Sequence, residues 1–276
     1  MLGYLRLIRP VNCVMSAVGC LLGSYVAVGS TVPLDLLLAL QAAAIALLFT
    51  AGGNSLNDYY DRDVDGINHP DRPIPSGSVS PRGALAMAAI LFAPTIPWSL
   101  WIRWELLVLV LINLALMASY EVVFKREGFR GNILISWLVS SLFIFGGLAV
   151  YEGSIEALQR VLFLALLAFL ATLGREVIKD IEDVTGDVGR RTLPMRLGET
   201  GAGRVASLSL LLAVGLSAVP ATLGVLSIYY LFTVLGADAM FIYAALNSAR
   251  RPATARRAVK YGMLIALLAF LVGGFP

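Results

Sequence analysis

Apolar runs long enough to cross a membrane alternate along this chain with short polar segments that collect arginine and aspartate. Leu36–Thr50, Ala84–Trp101, Leu106–Ala118 and Phe163–Leu173 recur at intervals suited to successive spans of about 17 to 25 residues, not to one buried core helix. The pattern predicts nine transmembrane helices, near 10–30, 36–57, 83–102, 105–123, 131–150, 157–178, 203–222, 224–246 and 257–274. The fold class is therefore an all-α integral membrane bundle. No low-complexity tract or long polar linker marks off a second unit, so residues 1–276 read as a single membrane domain. Arg6 and Arg9 ahead of a run rich in small residues have the look of a signal peptide, but eight further spans and the polar Asn12 favour a retained first helix.

Composition agrees with that reading and charge placement tests it. Of the 276 residues 58% are hydrophobic and 14% charged, against about 25% charged in a typical soluble domain. Cytoplasmic loops of membrane proteins gather Lys and Arg. With the N-terminus inside, the nine-helix layout puts every one of the 21 Lys and Arg on the inner side except Arg103 and Arg160. A single missed span in the middle would destroy that division. The layout places the active loops in the cytoplasm and the C-terminus outside. A positive inner face suits anionic headgroups or phosphates, so the net charge of +3 requires no nucleic acid, and nothing calls for an obligate protein partner. The two cysteines, Cys13 and Cys20, and the single histidine, His69, form neither a zinc pattern nor a disulfide framework. Packing is the expected role of the cysteines, and His69 reads as a loop residue.

The chemistry is carried by an acidic pattern that occurs twice on the inner side. The first copy is Asn57-Asp58-Tyr59-Tyr60-Asp61-Arg62-Asp63-Val64-Asp65, and the second is Lys179-Asp180-Ile181-Glu182-Asp183-Val184-Thr185-Gly186-Asp187. Asp58, Asp61 and Asp65 stand at i, i+3 and i+7, as do Asp180, Asp183 and Asp187, so each trio shares one face if its helix continues through it. The segments downstream of the two copies also rhyme: Arg72-Pro73-Ile74-Pro75 before Gly83-Ala84, and Arg191-Thr192-Leu193-Pro194 before Gly201-Ala202. Four predicted helices separate the copies, an even number, which makes the duplication a parallel internal repeat and puts both trios on one side.

Two sets of carboxylates facing one cavity repel unless cations intervene. Mg²⁺ is a hard ion commonly held by one or two carboxylates plus the phosphates of a substrate, and two acidic faces around one diphosphate meet that demand. Solvated acidic loops would account for isolated aspartates but not for equal spacing at two equivalent helix ends. Basic residues near the same ends, Arg72, Lys125, Arg126, Arg175, Lys179 and Arg191, are candidates to complete an anion site. Arg72 and Lys179 are favoured, because each lies within an acidic repeat or its adjoining loop. Ion ligation by a secondary transporter or cation channel is the rival of a different class, but such sites lie near the midplane at broken helices, whereas both trios sit at inner helix ends.

At these residues the sequence resembles the UbiA-type intramembrane prenyltransferases, whose first motif reads Asn-Asp-x-x-Asp-x-x-x-Asp and is matched by Asn57 to Asp65. The resemblance extends to Asp180, Asp183 and Asp187 and to the nine-helix layout over nearly the whole chain. It implies that Asn57, Asp58, Asp61, Asp65, Asp180, Asp183 and Asp187 hold Mg²⁺ against a prenyl diphosphate, with Asp61 and Asp183 central to catalysis. It also implies diphosphate contacts at Arg72 and Lys179, further roles for Tyr120 and Lys125 where the fourth helix meets its loop, and a pocket-shaping role for Asn12. Within the family, Asp71 to Gly77 and Gly174 to Asp183 look most like the archaeal ether-lipid enzymes, the digeranylgeranylglyceryl phosphate synthases, while chlorophyll synthases share much of the first segment. The implied reaction joins geranylgeranyl diphosphate to geranylgeranylglyceryl phosphate through a new ether bond. Aromatic, quinone-precursor, haem or chlorin acceptors remain alternatives on sequence alone.

Overall fold

The computed structural model describes residues 2–29, 33–124, 127–184 and 191–273, apart from the side chain of Asn68. Every element among them is helical. In chain order these are α1 (Leu2–Ile8), α2 (Pro10–Val28), α3 (Leu36–Asn68), α4 (Pro81–Phe92), α5 (Thr95–Ile102), α6 (Trp104–Val122), α7 (Phe129–Ala149), α8 (Ile155–Glu182), α9 (Leu193–Ser217), α10 (Val219–Thr222), α11 (Ile228–Asn247) and α12 (Pro252–Gly273).

Eight helical stretches among the described residues are long and apolar enough to cross a membrane, from Pro10–Val28 through Ile228–Asn247, with α4 and α5 together making one and α9 with α10 another. The protein is a multi-pass membrane protein. The last helix, α12, occupies the ninth predicted span but carries Arg256, Arg257 and Lys260 in its first half, which leaves it outside that set of eight.

Two helices overshoot the apolar runs that predict them. The 33 residues of α3 extend roughly 50 Å at 1.5 Å per residue, against a hydrocarbon core of about 30 Å. Asp35 starts α3 by accepting the Leu38 N–H at 3.0 Å, and the helix runs through the whole first acidic motif to stop ahead of His69-Pro70. The 28 residues of α8 end at Glu182, so Asp183 caps that helix from outside it. The first acidic segment, and Lys179 to Asp183 of the second, thus sit at helix ends beyond the apolar runs.

The bundle is organised around α2 and α7, which pack on each other and join two hydrophobic clusters. Leu22, Val26 and Phe143 belong to the cluster built with α8, α9, α11 and α12, while Cys20, Phe145 and Ala149 belong to the one shared with α3 and α6. Ser24 donates to the Gly146 carbonyl at 2.8 Å across this contact. The free cysteines Cys13 and Cys20 are both buried, as a packing role requires. A small third cluster, Leu7 with Ile74, Val79 and Ala84, pins α1 beneath the loop after α3.

Candidate active site

A cavity of about 920 Å³ opens between α2, α3, α6, α7 and α8. Its mouth is polar, with Asp61, Asp65, Arg72, Lys179 and Asp183 among its walls. Its depth is walled mainly by apolar side chains, Ile45, Ala46, Phe49, Val110, Leu142 and Phe145, with Asn113 and Ser141, bonded to each other, as the polar exceptions. From Ile45 to Asp61 is sixteen residues of continuous helix, about 24 Å. This is the shape of a slot for an elongated apolar chain with a charged head.

Of the first acidic motif, Asn57, Asp61, Val64 and Asp65 line the cavity, the three polar ones at i, i+4 and i+8. Asp58 is turned aside. It is 3% exposed, ion-paired to Arg9 and 3.9 Å from Arg72 Nη1, and it does not line the cavity. Asp65 accepts from Arg72 Nη1 at 2.6 Å. That contact is made possible by the tight loop after α3, where the Arg72 N–H bonds to the His69 carbonyl, the Ser76 N–H bonds to that of Arg72, and Gly77 turns the chain at φ 73°. Asn57 is held from both ends, donating to Glu121 Oε1 at 2.9 Å and accepting from Arg9 at 3.3 Å.

The second motif is arranged differently. The cavity face of α8 carries Glu176, Lys179 and Glu182, and Asp183 comes next at the helix end. Asp180 points to α7, where Asn132 Nδ2 donates to it at 2.8 Å, and it is absent from the lining. Because α8 stops at Glu182, the expected single helical face for Asp180, Asp183 and Asp187 is not formed by continuous helix. Asp187 lies outside the described residues, as do Lys125 and Arg126. Tyr120 and Asn12 both line the cavity. A Cβ at Gly131 would stand 3.3 Å from the Tyr120 ring and 2.9 Å from the Phe124 carbonyl, so α7 needs glycine there to seat the ring. Arg175 is spent on its neighbour Glu176, at 2.6 Å.

Sequence reasoning passes over Arg9, Glu121, Glu176 and His69, all of which line the cavity. Pro10, which cannot continue α1, is the signal that Arg9 stands at a break and is free to turn inward.

The donor set fits a hard divalent cation. Among the described residues no three His, Cys, Asp or Glu converge to hold an ion unaided. Asn57, Asp61 and Asp65 on one helix and Asp183 at the end of another line a shared space with oxygen atoms, which suits Mg²⁺ completed by water and phosphate oxygens, while Glu182 is held by Arg256 at 2.9 Å.

Helices that cross a membrane around an apolar slot with a mouth of carboxylates and cations define an intramembrane site for an amphiphile with a phosphorylated head. Comparison with known proteins gives that class its family: the UbiA prenyltransferase family model matches residues 16–271, and the chain belongs to this family. It is 41% identical over 276 residues to a digeranylgeranylglyceryl phosphate synthase from Methanopyrus kandleri, with 98% of each chain covered. A solved structure concerned with digeranylgeranylglyceryl phosphate synthase in membranes superposes with a TM-score of 0.84 at 34% identity, covering 99% of this chain and 97% of that one. A UbiA homologue from Archaeoglobus fulgidus, bound to DMAPP and Mg²⁺, shares the fold with a TM-score of 0.67 at 18% identity, covering 96% of this chain and 99% of that one.

Proposed function

We propose that this chain transfers a geranylgeranyl group from its diphosphate to geranylgeranylglyceryl phosphate, forming an ether bond in archaeal membrane lipid and releasing diphosphate. The observation that carries the reading is the joining of an acidic, cation-bearing mouth to an apolar slot about 24 Å long. Similarity over nearly the full length to enzymes of that name supports the acceptor.

Mg²⁺ bound at the mouth supplies charge neutralisation to the departing diphosphate. Asn57, Asp61, Asp65 and Asp183 are its proposed holders. Asp187 belongs to the same proposed set by its match to the family's second acidic motif, whereas Asp58 and Asp180 act beside it, holding Arg9 and Asn132. Lys179 and Arg72, with Lys125 from the α6–α7 connection, take diphosphate oxygens and stabilise the charge that develops as the allylic carbon–oxygen bond breaks. The hydroxyl oxygen of the acceptor replaces diphosphate at that carbon, and its proton leaves to a carboxylate or diphosphate oxygen at the same mouth. The apolar slot keeps water from the reacting carbon.

The Tyr120 ring, seated against Gly131 at the cavity wall, is placed to stabilise positive charge on the allylic carbon. A desolvated cation–π contact is worth about 2 kcal/mol, or roughly 30-fold in rate. Tyr120→Phe is expected to stay within a few-fold of wild type and Tyr120→Ala to fall by that factor in single-turnover transfer. Equal, undiminished rates in both would remove the ring from the mechanism.

The chain is proposed to be one domain of nine crossings, α12 being the ninth, with a parallel repeat relating the two acidic segments. The N-terminus and cavity mouth face the cytoplasm and the C-terminus lies outside. Since native Cys13 and Cys20 are buried, a membrane-impermeant maleimide reports on introduced cysteines alone. Glu152→Cys should label in intact cells and Ser78→Cys only after permeabilisation; the reverse pattern would invert the topology.

The functional test is transfer by purified protein in detergent, with Mg²⁺, labelled geranylgeranyl diphosphate and geranylgeranylglyceryl phosphate, beside 4-hydroxybenzoate and an EDTA control. Metal-dependent label in the diether phosphate is the expected result. Label in the aromatic product instead would overturn the acceptor.

A further inference from the structure

We infer that the α2 wall of the cavity seats the phosphoglycerol head of the acceptor, with Arg9 taking its phosphate. The inference rests on the proposed acceptor being a phosphorylated glycerol ether.

Arg9 is the only non-glycine residue at positive φ among the described residues, at φ 52° and ψ 73° in the break between α1 and α2. That left-handed conformation is unfavourable for a side chain with a Cβ and persists only when its surroundings impose it. Here they do. Leu7 is buried under Ile74 and Val79, Arg6 bonds to the Asp71 carbonyl at 3.1 Å, and Pro10 starts the next helix. The result is a guanidinium carried into the cavity, one-third exposed, with buried Asp58 behind it. Its bonds to Asp58 and Asn57 both run through Nη2. Among the described residues the rest of the fork has no partner, so it retains donors suited to two phosphate oxygens.

Below Arg9, Asn12 and Ser16 continue the same wall at i+3 and i+7, and all three line the cavity. Ser16 Oγ donates to the Asn12 carbonyl at 3.1 Å. Next to this polar ladder, Val11, Val14, Met15 and Val18 are exposed. The ladder descends about 10 Å from Arg9. A prenyl diphosphate has no polar atom below its head and gains nothing from such a ladder. A phosphoglycerol ether presents phosphate, hydroxyl and ether oxygens in succession, and then an apolar chain that the flanking valines can meet. The carboxylate-rich face of α3 and α8 is then left to the donor and its metal.

The test compares geranylgeranylglyceryl phosphate with its dephosphorylated counterpart, geranylgeranylglycerol, as acceptors for the full-length enzyme. Transfer by wild type to the phosphorylated acceptor checks the underlying reaction separately. Arg9→Gln should lower kcat/KM for the phosphorylated acceptor by about 10- to 100-fold, the worth of a charge-assisted pair. The loss on geranylgeranylglycerol should be at least several-fold smaller, so that the preference for phosphate collapses. Because Arg9 also holds Asn57, a loss shared by both acceptors reports on the metal site and only the difference between them reports on the acceptor phosphate. Arg9→Lys should recover part of that preference. Because Arg9→Gln strands a buried carboxylate, the pair Arg9→Gln/Asp58→Asn is measured beside it, and the collapse must persist there. An equal loss on both acceptors, or a raised donor KM with the acceptor preference intact, would overturn the assignment while leaving the proposed reaction standing.

Discussion

Asp61→Asn and Asp183→Asn, introduced singly, are each expected to lower Mg²⁺-dependent transfer by at least about 100-fold, the scale on which loss of one preorganised electrostatic contact to a transition state is felt. Each substitution keeps volume and hydrogen-bonding capacity but removes the negative charge that a hard divalent ion requires. The two sites differ in a way that sharpens the test. Asp61 projects from unbroken helix, whereas Asp183 sits just past the last residue of α8. If both face one diphosphate, their losses should be similar in size and far from additive, since residues that act as a unit lose most of their effect together. Thermal unfolding in detergent should be nearly unchanged, because both side chains are at least partly exposed and neither belongs to a hydrophobic cluster. Near-wild-type turnover in both variants would remove the two-motif site. A fully additive double loss would instead separate the two carboxylates into independent roles.

The contrast with Asp58 shows how far a sequence reaches into such a site. On a helix, both Asp58-Asp61-Asp65 and Asn57-Asp61-Asp65 are acceptable faces, since their spacings of i, i+3, i+7 and i, i+4, i+8 differ by one step of rotation at the first position. What decides between them is Arg9, some fifty residues away in the chain, whose guanidinium draws Asp58 out of the cavity wall. A local pattern carries no such information. The same limit applies at α8, where the Asp180, Asp183, Asp187 spacing suggests a helical trio but the helix ends at Glu182 and Asn132 on α7 takes Asp180.

Span positions, by contrast, come directly from the apolar runs, because a crossing helix must be apolar over its whole length in lipid. Where the runs mislead is at the ends. The apolar stretch alone sets a span at 36–57, yet α3 continues to Asn68, carried onward by side chains that find partners in the following loop and in the break between α1 and α2 instead of in lipid. Glu176 and Glu121 escape notice for a related reason: each is one acid among several until the fold brings it to a shared wall.

Gly146→Ala is expected to cost more stability than alanine at any other helical glycine among the described residues, because it falls where α2 and α7 approach most closely. A Cβ on Gly146 would lie 1.8 Å from the Cys20 carbonyl oxygen, and one on Gly23 would lie 2.2 Å from that of Phe143. Both obstacles are backbone atoms, which cannot rotate aside as a side chain would, so the helices must separate. Overpacking of this kind costs about 1 to 3 kcal/mol. Separation also stretches the Ser24 hydroxyl bond to the Gly146 carbonyl, worth about a further 1 kcal/mol. A fall of roughly 5 to 10 °C in the unfolding midpoint should result for a chain of this size. Gly215→Ala is the matched control, since nothing lies within 4 Å of a Cβ there and alanine is the better helix former. That variant should be neutral or slightly stabilising, and equal midpoints for the two would refute the close crossing. The consequence reaches the site as well. The polar ladder of Arg9, Asn12 and Ser16 stands on α2, and Phe145, beside the substituted position, closes the foot of the slot. Wedging these helices apart widens the slot where the end of the prenyl chain would rest, so Gly146→Ala should also weaken discrimination between donors of different chain length more than it lowers the rate with the preferred one.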